Sequence, residues 1–211
     1  MTIASMESEK FGFKFKRTVI TPEHYGPVYI PEYQRVLDTY VREGTVNVLE
    51  WGSGLTSQIM ARHLERLPGV ELFLTIDEYP VFQRAIFAKR PRPHFLREVT
   101  MELRGSCHSP ADPALNYSTF PLSAGRKFDF IYIDGRRRME CAFMAALLSH
   151  GNTTVVLHDY RRYRYQPIAA LFDIVEDGPE FRIMRPKAGI TEAVTPAIPR
   201  ILERMHSPSG V

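Results

Sequence analysis

Four short polar clusters, each following an apolar run, could do chemistry together: Glu50-Trp-Gly-Ser-Gly54, Asp77-Glu78, Asp134-Gly-Arg-Arg-Arg138 and His158-Asp159-Tyr160. Taken singly, an acidic residue after a strand is a turn former or a helix cap. Four of them gain meaning if one sheet brings them to the same edge, because open α/β sheets bind ligands outside the carboxyl ends of their strands. The first cluster has a glycine turn, but not that of a dinucleotide site. That fingerprint needs G-x-G-x-x-G against a pyrophosphate, and here the third glycine position is Ser57. The carboxylate of Glu50, just ahead of the glycines, would also repel phosphate. A cationic, phosphate-free ligand suits it better. Asp134, His158 and Asp159 are the candidates for a base that takes a proton from an acceptor, and His158 has the ordinary pKa for that near neutrality.

The elements that must position these residues follow from periodicity. Val46 to Glu50 reads as a buried strand, and Leu55, Ile59, Met60, Leu64 and Leu67 mark a helical face that ends at Pro68-Gly69. Strands are expected over Val70–Ile76, Phe95–Leu103, Lys127–Asp134 and Thr153–Leu157, with helices over Pro31–Glu43, Pro80–Lys89, Met139–Ser149 and Pro167–Glu176. Pro31 suits a first helical turn. Phe181–Met184 and Ile190–Val194 read as a closing hairpin around Arg185–Gly189. A long proline- and glycine-bearing loop, Arg104 to Arg126, lies between. Repeated β-α units imply an α/β fold, a doubly wound and mostly parallel sheet closed by a C-terminal antiparallel hairpin. Residues 1–30 read as an N-terminal tail and edge strand or arm, with Phe11, Phe13 and Phe15 alternating with lysines, and 31–211 as a single domain.

The 211 residues carry a formal net charge of +3, too mild by itself to argue for nucleic acid as the partner, and none is expected. Cys107 and Cys141 form no CxxC pair, so free thiols and a cytoplasmic location are expected. No apolar run has the length of a membrane span. A homodimer is compatible with the sequence. Arginine is concentrated after the fourth and fifth strands, at Arg136–Arg138 and at Arg161, Arg162 and Arg164. Guanidinium forks suit carboxylate, sulfate or phosphate, so Arg136 and Arg162 are candidates for holding an anionic small-molecule acceptor.

S-adenosylmethionine carries an ammonium, a sulfonium and a ribose diol, and Asp77 follows Gly54 at close to the ~20-residue offset of a ribose partner. Val48-Leu-Glu-Trp-Gly-Ser-Gly54 resembles the first motif of class I S-adenosylmethionine-dependent methyltransferases. Phe128-Asp-Phe-Ile-Tyr-Ile-Asp-Gly135 and Val155-Val-Leu-His-Asp-Tyr160 resemble a small-molecule O-methyltransferase-like branch, and the likeness runs from about Pro31 to Pro196. It implies a Rossmann-like methyltransferase fold and methyl transfer to a small acceptor at oxygen. Gly52, Ser53 and Gly54 would wrap the methionine part of the cofactor with Thr56 beside them, and Glu50 would hold its amino group directly or through water. Asp77 would take the ribose hydroxyls, Ser106 would lie near adenine, and Asp134 would stand beside the sulfonium. The acidic residue common at the adenine position is absent. Some relatives in that branch hold magnesium between carboxylates that match Asp134 and Asp159, but Tyr160 replaces the amide that follows the second. Two other readings remain open at this stage: a methyltransferase-like binding module without catalysis, and a nicotinamide-dependent oxidoreductase.

Overall fold

The computed structural model describes residues 26–79, 91–101, 117–197 and 199. The N-terminal tail and phenylalanine arm, the helix expected over Pro80–Lys89, and Ser106 with Cys107 lie outside the described residues. The elements in chain order are α1 (Gly26–Tyr40), β1 (Asn47–Trp51), α2 (Leu55–Leu64), β2 (Leu72–Asp77), β3 (Leu96–Thr100), β4 (Phe128–Ile133), α3 (Arg138–Leu148), β5 (Ser149–His158), β6 (Phe172–Asp177), β7 (Phe181–Pro186) and α4 (Ile190–Val194).

Strand alternation sends side chains to two faces. Leu49, Trp51, Ile131, Ile133, Val155 and Leu157 pack with Cys141, Ala142, Ala145 and Leu148 of α3. Val48, Phe130, Tyr132 and Val156 pack with Tyr33, Val36 and Leu37 of α1 and with Met60 and Leu64 of α2. The seven-stranded sheet runs β3-β2-β1-β4-β5-β7-β6. β1 to β5 pair in parallel, and β7 lies antiparallel to both β5 and β6. The chain moves outward from β1 to β3 and returns to β4, which makes β1/β4 the switch point where such sheets bind ligands. Glu50, Asp77, Asp134 and His158 all lie at or just beyond strand ends on that edge.

Three expectations need correction. The helix expected over Pro167–Glu176 is a 3-10 segment, Tyr163–Ala170, followed by strand β6. Ile168 and Phe172 are buried, but Val175 is half exposed, so the apparent helical stripe has no partner along its length. Pro167 lacks an N–H, and β-branched Ile174-Val175 suits an edge strand. The hairpin therefore comes one element earlier, as β6 and β7 around Asp177–Glu180, and Ile190–Val194 is α4. Gly189, at φ +73°, starts that helix, and Thr191 Oγ1 donates to Ala146 O of α3 at 3.0 Å. Helix α1 begins at Gly26, with Pro31 inside it instead of in its first turn, so it runs across position 30. The long loop is also partly ordered, since Phe120–Ala124 forms a 3-10 turn before β4.

The switch point is stitched through backbone. Gly52 N donates to Ile76 O at 2.8 Å, and Asp134 N donates to Trp51 O at 2.9 Å. Gly52 has φ +99°, and a Cβ there would fall 2.5 Å from Gly135 N. Neither strain nor overlap can be relieved by moving a flexible side chain, so both turns must be glycine where they touch. Gly52→Ala is predicted to destabilise the fold by about 3 kcal/mol in urea unfolding; an unchanged midpoint would contradict this packing.

Candidate active site

Two polar knots sit side by side under this edge. The first surrounds Glu50, which is fully buried. Thr56 Oγ1 donates to its Oε1 at 2.8 Å, and Thr75 Oγ1 donates to its Oε2 at 2.7 Å. Ser57 Oγ donates to the same Oε2 and accepts from Gly54 N at 2.9 Å. Ser53 Oγ lies 2.7 Å from Thr75 Oγ1, and because the Thr75 proton is directed at Glu50, Ser53 is the donor. Glu50 is thus gripped by hydroxyls of its own chain from β2 and α2, and Ser57 uses its side chain where a dinucleotide loop would need glycine. Burial pushes the Glu50 carboxyl from its ordinary 4.5 up to about 7, against the three hydroxyl donors, which favour ionisation.

The second knot is built on Asp134. Its Oδ1 lies 2.6 Å from His158 Nδ1 and accepts from Arg138 Nη2 at 2.9 Å. Its Oδ2 faces Tyr29 Oη at 3.0 Å and Tyr132 Oη at 3.2 Å, while the two phenols are 2.6 Å apart. Two phenolic protons cannot make three hydrogen bonds. One phenol donates to Asp134 and accepts from the other. Burial raises the Asp134 carboxyl, but the His158 bond and charge, Arg138 and Tyr29 outweigh it and hold it below its ordinary range. Burial lowers the His158 imidazole, but Asp134 outweighs it and holds it above its usual 6.5. A carboxylate at Nδ1 fixes the neutral tautomer with its proton there, which leaves the Nε2 lone pair available. Nε2 lies 3.5 Å from Glu180 Oε2, and the ring is held between Tyr29 and Phe181.

The remaining sequence candidates are placed as follows. Asp77 ends β2, with Oδ1 accepting from Tyr79 N at 2.7 Å. Gly52, Ser53 and Gly54 form the turn between the two knots. Arg136 Nε pairs with Glu78 Oε1 at 2.8 Å and ties the β4 end to the β2 end. Arg162 Nη2 pairs with Asp159 Oδ2 at 2.7 Å. Asp134, His158 and Asp159 therefore converge; Glu50, Ser53 and Thr56 form their own group; Asp77 and Arg136 stand at the neighbouring strand ends. Arg138, Tyr132, Thr75 and Tyr29 are further members of the two knots that the strand-end pattern does not single out. The i,i+4 spacing of Asp134 and Arg138 at a helix start was the available signal for the arginine. Asp159 (φ 60°) and Arg137 (φ 55°) are the non-glycine residues with positive φ among the described residues, and both flank the second knot. Such strain gathers where surroundings over-determine a geometry.

A divalent ion does not fit between Asp134 and Asp159. The guanidinium of Arg138 stands there, donating to Asp134 Oδ1 and, at 3.0 Å, to Asp159 Oδ2. Among the described residues, no group of three or more His, Cys, Asp or Glu could hold a metal ion. The magnesium expectation is corrected accordingly. The donor set does fit a cationic, phosphate-free cofactor. The turn lacks side chains at Gly52 and Gly54, an acid ends β2, and an acid follows β4.

The raised Glu50 carboxyl gives a stability signature. The folded chain binds that proton more tightly than the unfolded chain, so stability falls as pH rises from 4.5 through about 7, by about 3 kcal/mol in all. Glu50→Gln is predicted to remove this slope, its urea midpoint falling less than the wild-type midpoint between pH ~5 and ~8. Equal slopes in the two proteins would contradict the placement of Glu50.

No family model and no curated protein matches the sequence. By structure, the chain is similar to a methyltransferase-like protein from Silicibacter pomeroyi, at 18% identity and TM-score 0.57, over 91% of this chain and 98% of that one. It is similar to a ribosomal-protein methylase from Lactobacillus delbrueckii subsp. bulgaricus, at 13% identity and TM-score 0.50, over 86% and 91%. It is also similar to a precorrin decarboxylase from Methanobacterium thermoautotrophicum, at 9% identity and TM-score 0.51, over 77% and 92%. Strand order, switch point and terminal hairpin agree with these likenesses: the chain has the Rossmann-like methyltransferase fold.

Proposed function

We propose that the protein transfers a methyl group from S-adenosylmethionine to an oxygen of a small, anionic acceptor. The observation that carries this reading is the Asp134–His158 pair at the carboxyl ends of β4 and β5, in which the proton held at Nδ1 makes Nε2 the basic nitrogen. In this reading Gly52, Ser53 and Gly54 hold the methionine part of the cofactor, with Glu50 and Thr56 bracing the turn from beneath. Asp77 takes the ribose hydroxyls, and Ser106 is assigned to the adenine side. When bound, the cofactor supplies an electrophilic methyl on a sulfonium, so the protein's own work is alignment and proton removal. Asp134 keeps the imidazole in the required tautomer and stabilises the imidazolium once His158 has taken the acceptor's proton. Arg136 and Arg162 stand on the two loops that flank the acceptor, each shared with a carboxylate, and supply the positive field for an anionic group.

Calorimetry separates this reading from an oxidoreductase and from an inert fold. S-adenosylmethionine is expected to bind and a nicotinamide dinucleotide is not; the reverse result, or no binding of either, would refute it. Once an acceptor is found by a labelled-methyl screen of acidic metabolites, His158→Asn is predicted to lower kcat by about 10²–10⁴. The wild-type rate should rise with pH through an inflection above 6.5, because Asp134 holds His158 protonated past its usual range. Asp134→Asn should move that inflection downward. An upward shift, or none, would contradict the assigned pairing.

A further inference from the structure

Arg138 is a helix-start arginine that uses every donor it has. Its Nε donates to Gly135 O at 3.0 Å. Nη1 donates to His158 O at 2.7 Å and to Asp159 Oδ2 at 3.0 Å. Nη2 donates to Asp134 O at 2.8 Å and to Asp134 Oδ1 at 2.9 Å. These are the five N–H groups of a guanidinium, and all five go to oxygens on the two loops that end β4 and β5. The ring of Tyr165 covers the guanidinium carbon at 5.4 Å, and the side chain is 10% exposed. The two carboxylate and three carbonyl oxygens ringed around this guanidinium are of the donor type that suits a hard cation such as calcium or magnesium. The protein supplies a permanent organic cation there instead.

We propose that Arg138 does the work of a resident metal ion in this protein: its guanidinium is the fixed cation that joins the β4 and β5 ends, it excludes divalent ions from the oxygens it binds, and removing it exposes a latent metal site. The proposal stands on geometry alone and does not rest on the methyl-transfer reading. Lysine could not substitute, because an ammonium has three donors and no planar fork to span both loops. Arg138 is thus a positioning residue. It holds Asp134 for His158 and holds Asp159 in its left-handed turn, without being assigned contact with a reacting atom.

The test uses Mn²⁺ alone, followed by the loss of its free-ion electron paramagnetic resonance signal on titration with full-length protein. Arg138→Ala is expected to bind Mn²⁺ at least about tenfold more tightly than any wild-type binding, because the two carboxylates lose their resident cation. Adding Asp134→Asn and Asp159→Asn to Arg138→Ala should abolish the gain. Arg138→Gln, which retains more of the side-chain volume, is measured in parallel, and the gain is read on whichever variant circular dichroism shows to be folded. If neither folds alone, Mn²⁺ is expected to restore the folded spectrum of Arg138→Ala. Three results would overturn the proposal: wild-type Mn²⁺ binding that Asp134→Asn removes, a folded variant that binds no more tightly than wild type, or unfolded variants that Mn²⁺ does not restore.

Discussion

The structure depends on one ionic arrangement, the carboxylate of Asp134 held between the imidazole of His158 and the guanidinium of Arg138. Through it α1, β4, α3 and β5 meet at one point, since Tyr29, Tyr132, Arg138 and His158 each come from a different element. A partly buried carboxylate stays ionised most readily when it is paired and hydrogen-bonded, as Asp134 is. Leaving any of those donors without it would strand a buried polar group. The pH window of this arrangement follows from the shifts. Asp134 is held below its ordinary value, so its contribution is present above 3.8 and lost as pH falls through the lowered value. His158 is held above its ordinary value, so its contribution is fully present below 6.5 and lost as pH rises through the raised value. The pair is therefore strongest in mildly acidic solution and remains a charged pair into the range above 6.5.

Glu50 works in the opposite sense. It is a buried acid held by hydroxyls, with no cation bonded to it among the described residues, and burial favours its protonated form. Through Thr56, Ser57 and Thr75 it ties the start of α2 and the middle of β2 to the glycine turn. Ser57 links the two levels, because it donates to Glu50 and accepts from the N–H of Gly54. The turn is thus set from beneath by Glu50 and from the side by the Gly52–Gly135 contact. A ligand at this edge would meet a preformed surface, and that preorganisation is what a reaction governed by alignment requires.

Much of this was legible in the sequence, because strand ends announce themselves. Val48 to Gly54 and Phe128 to Gly135 are apolar runs that stop at an acid or a glycine, and the parallel sheet follows from their alternation with helical stripes. The segment Pro167–Glu176 departs from its helical pattern for a physical reason. Ile168, Leu171, Phe172 and Val175 have helical spacing, but Val175 faces solvent on an edge strand, so periodicity reported a face that tertiary pairing does not use. The site was legible in residue types more than in partners. Asp134, His158 and Asp159 stand on neighbouring strand ends and were readable as a group. That Arg138, two residues beyond Arg136, would turn inward and take both acids depends on α3 starting at Arg138 from a left-handed Arg137. Tyr29 joins the knot from a distant helix, a pairing that no local pattern encodes.

The central claim is that the ligand site lies at the β1/β4 switch point, on the turn Gly52–Gly54 and the β4 end. Backbone amide chemical shifts in an ¹H–¹⁵N spectrum, recorded as S-adenosylmethionine is added to the full-length protein, test it directly. The account predicts that the largest shifts fall on Gly52, Ser53, Gly54, Asp77 and Asp134. It would be contradicted if those amides stayed in place while the ligand bound, or if the shifts gathered on the β6–β7 hairpin instead.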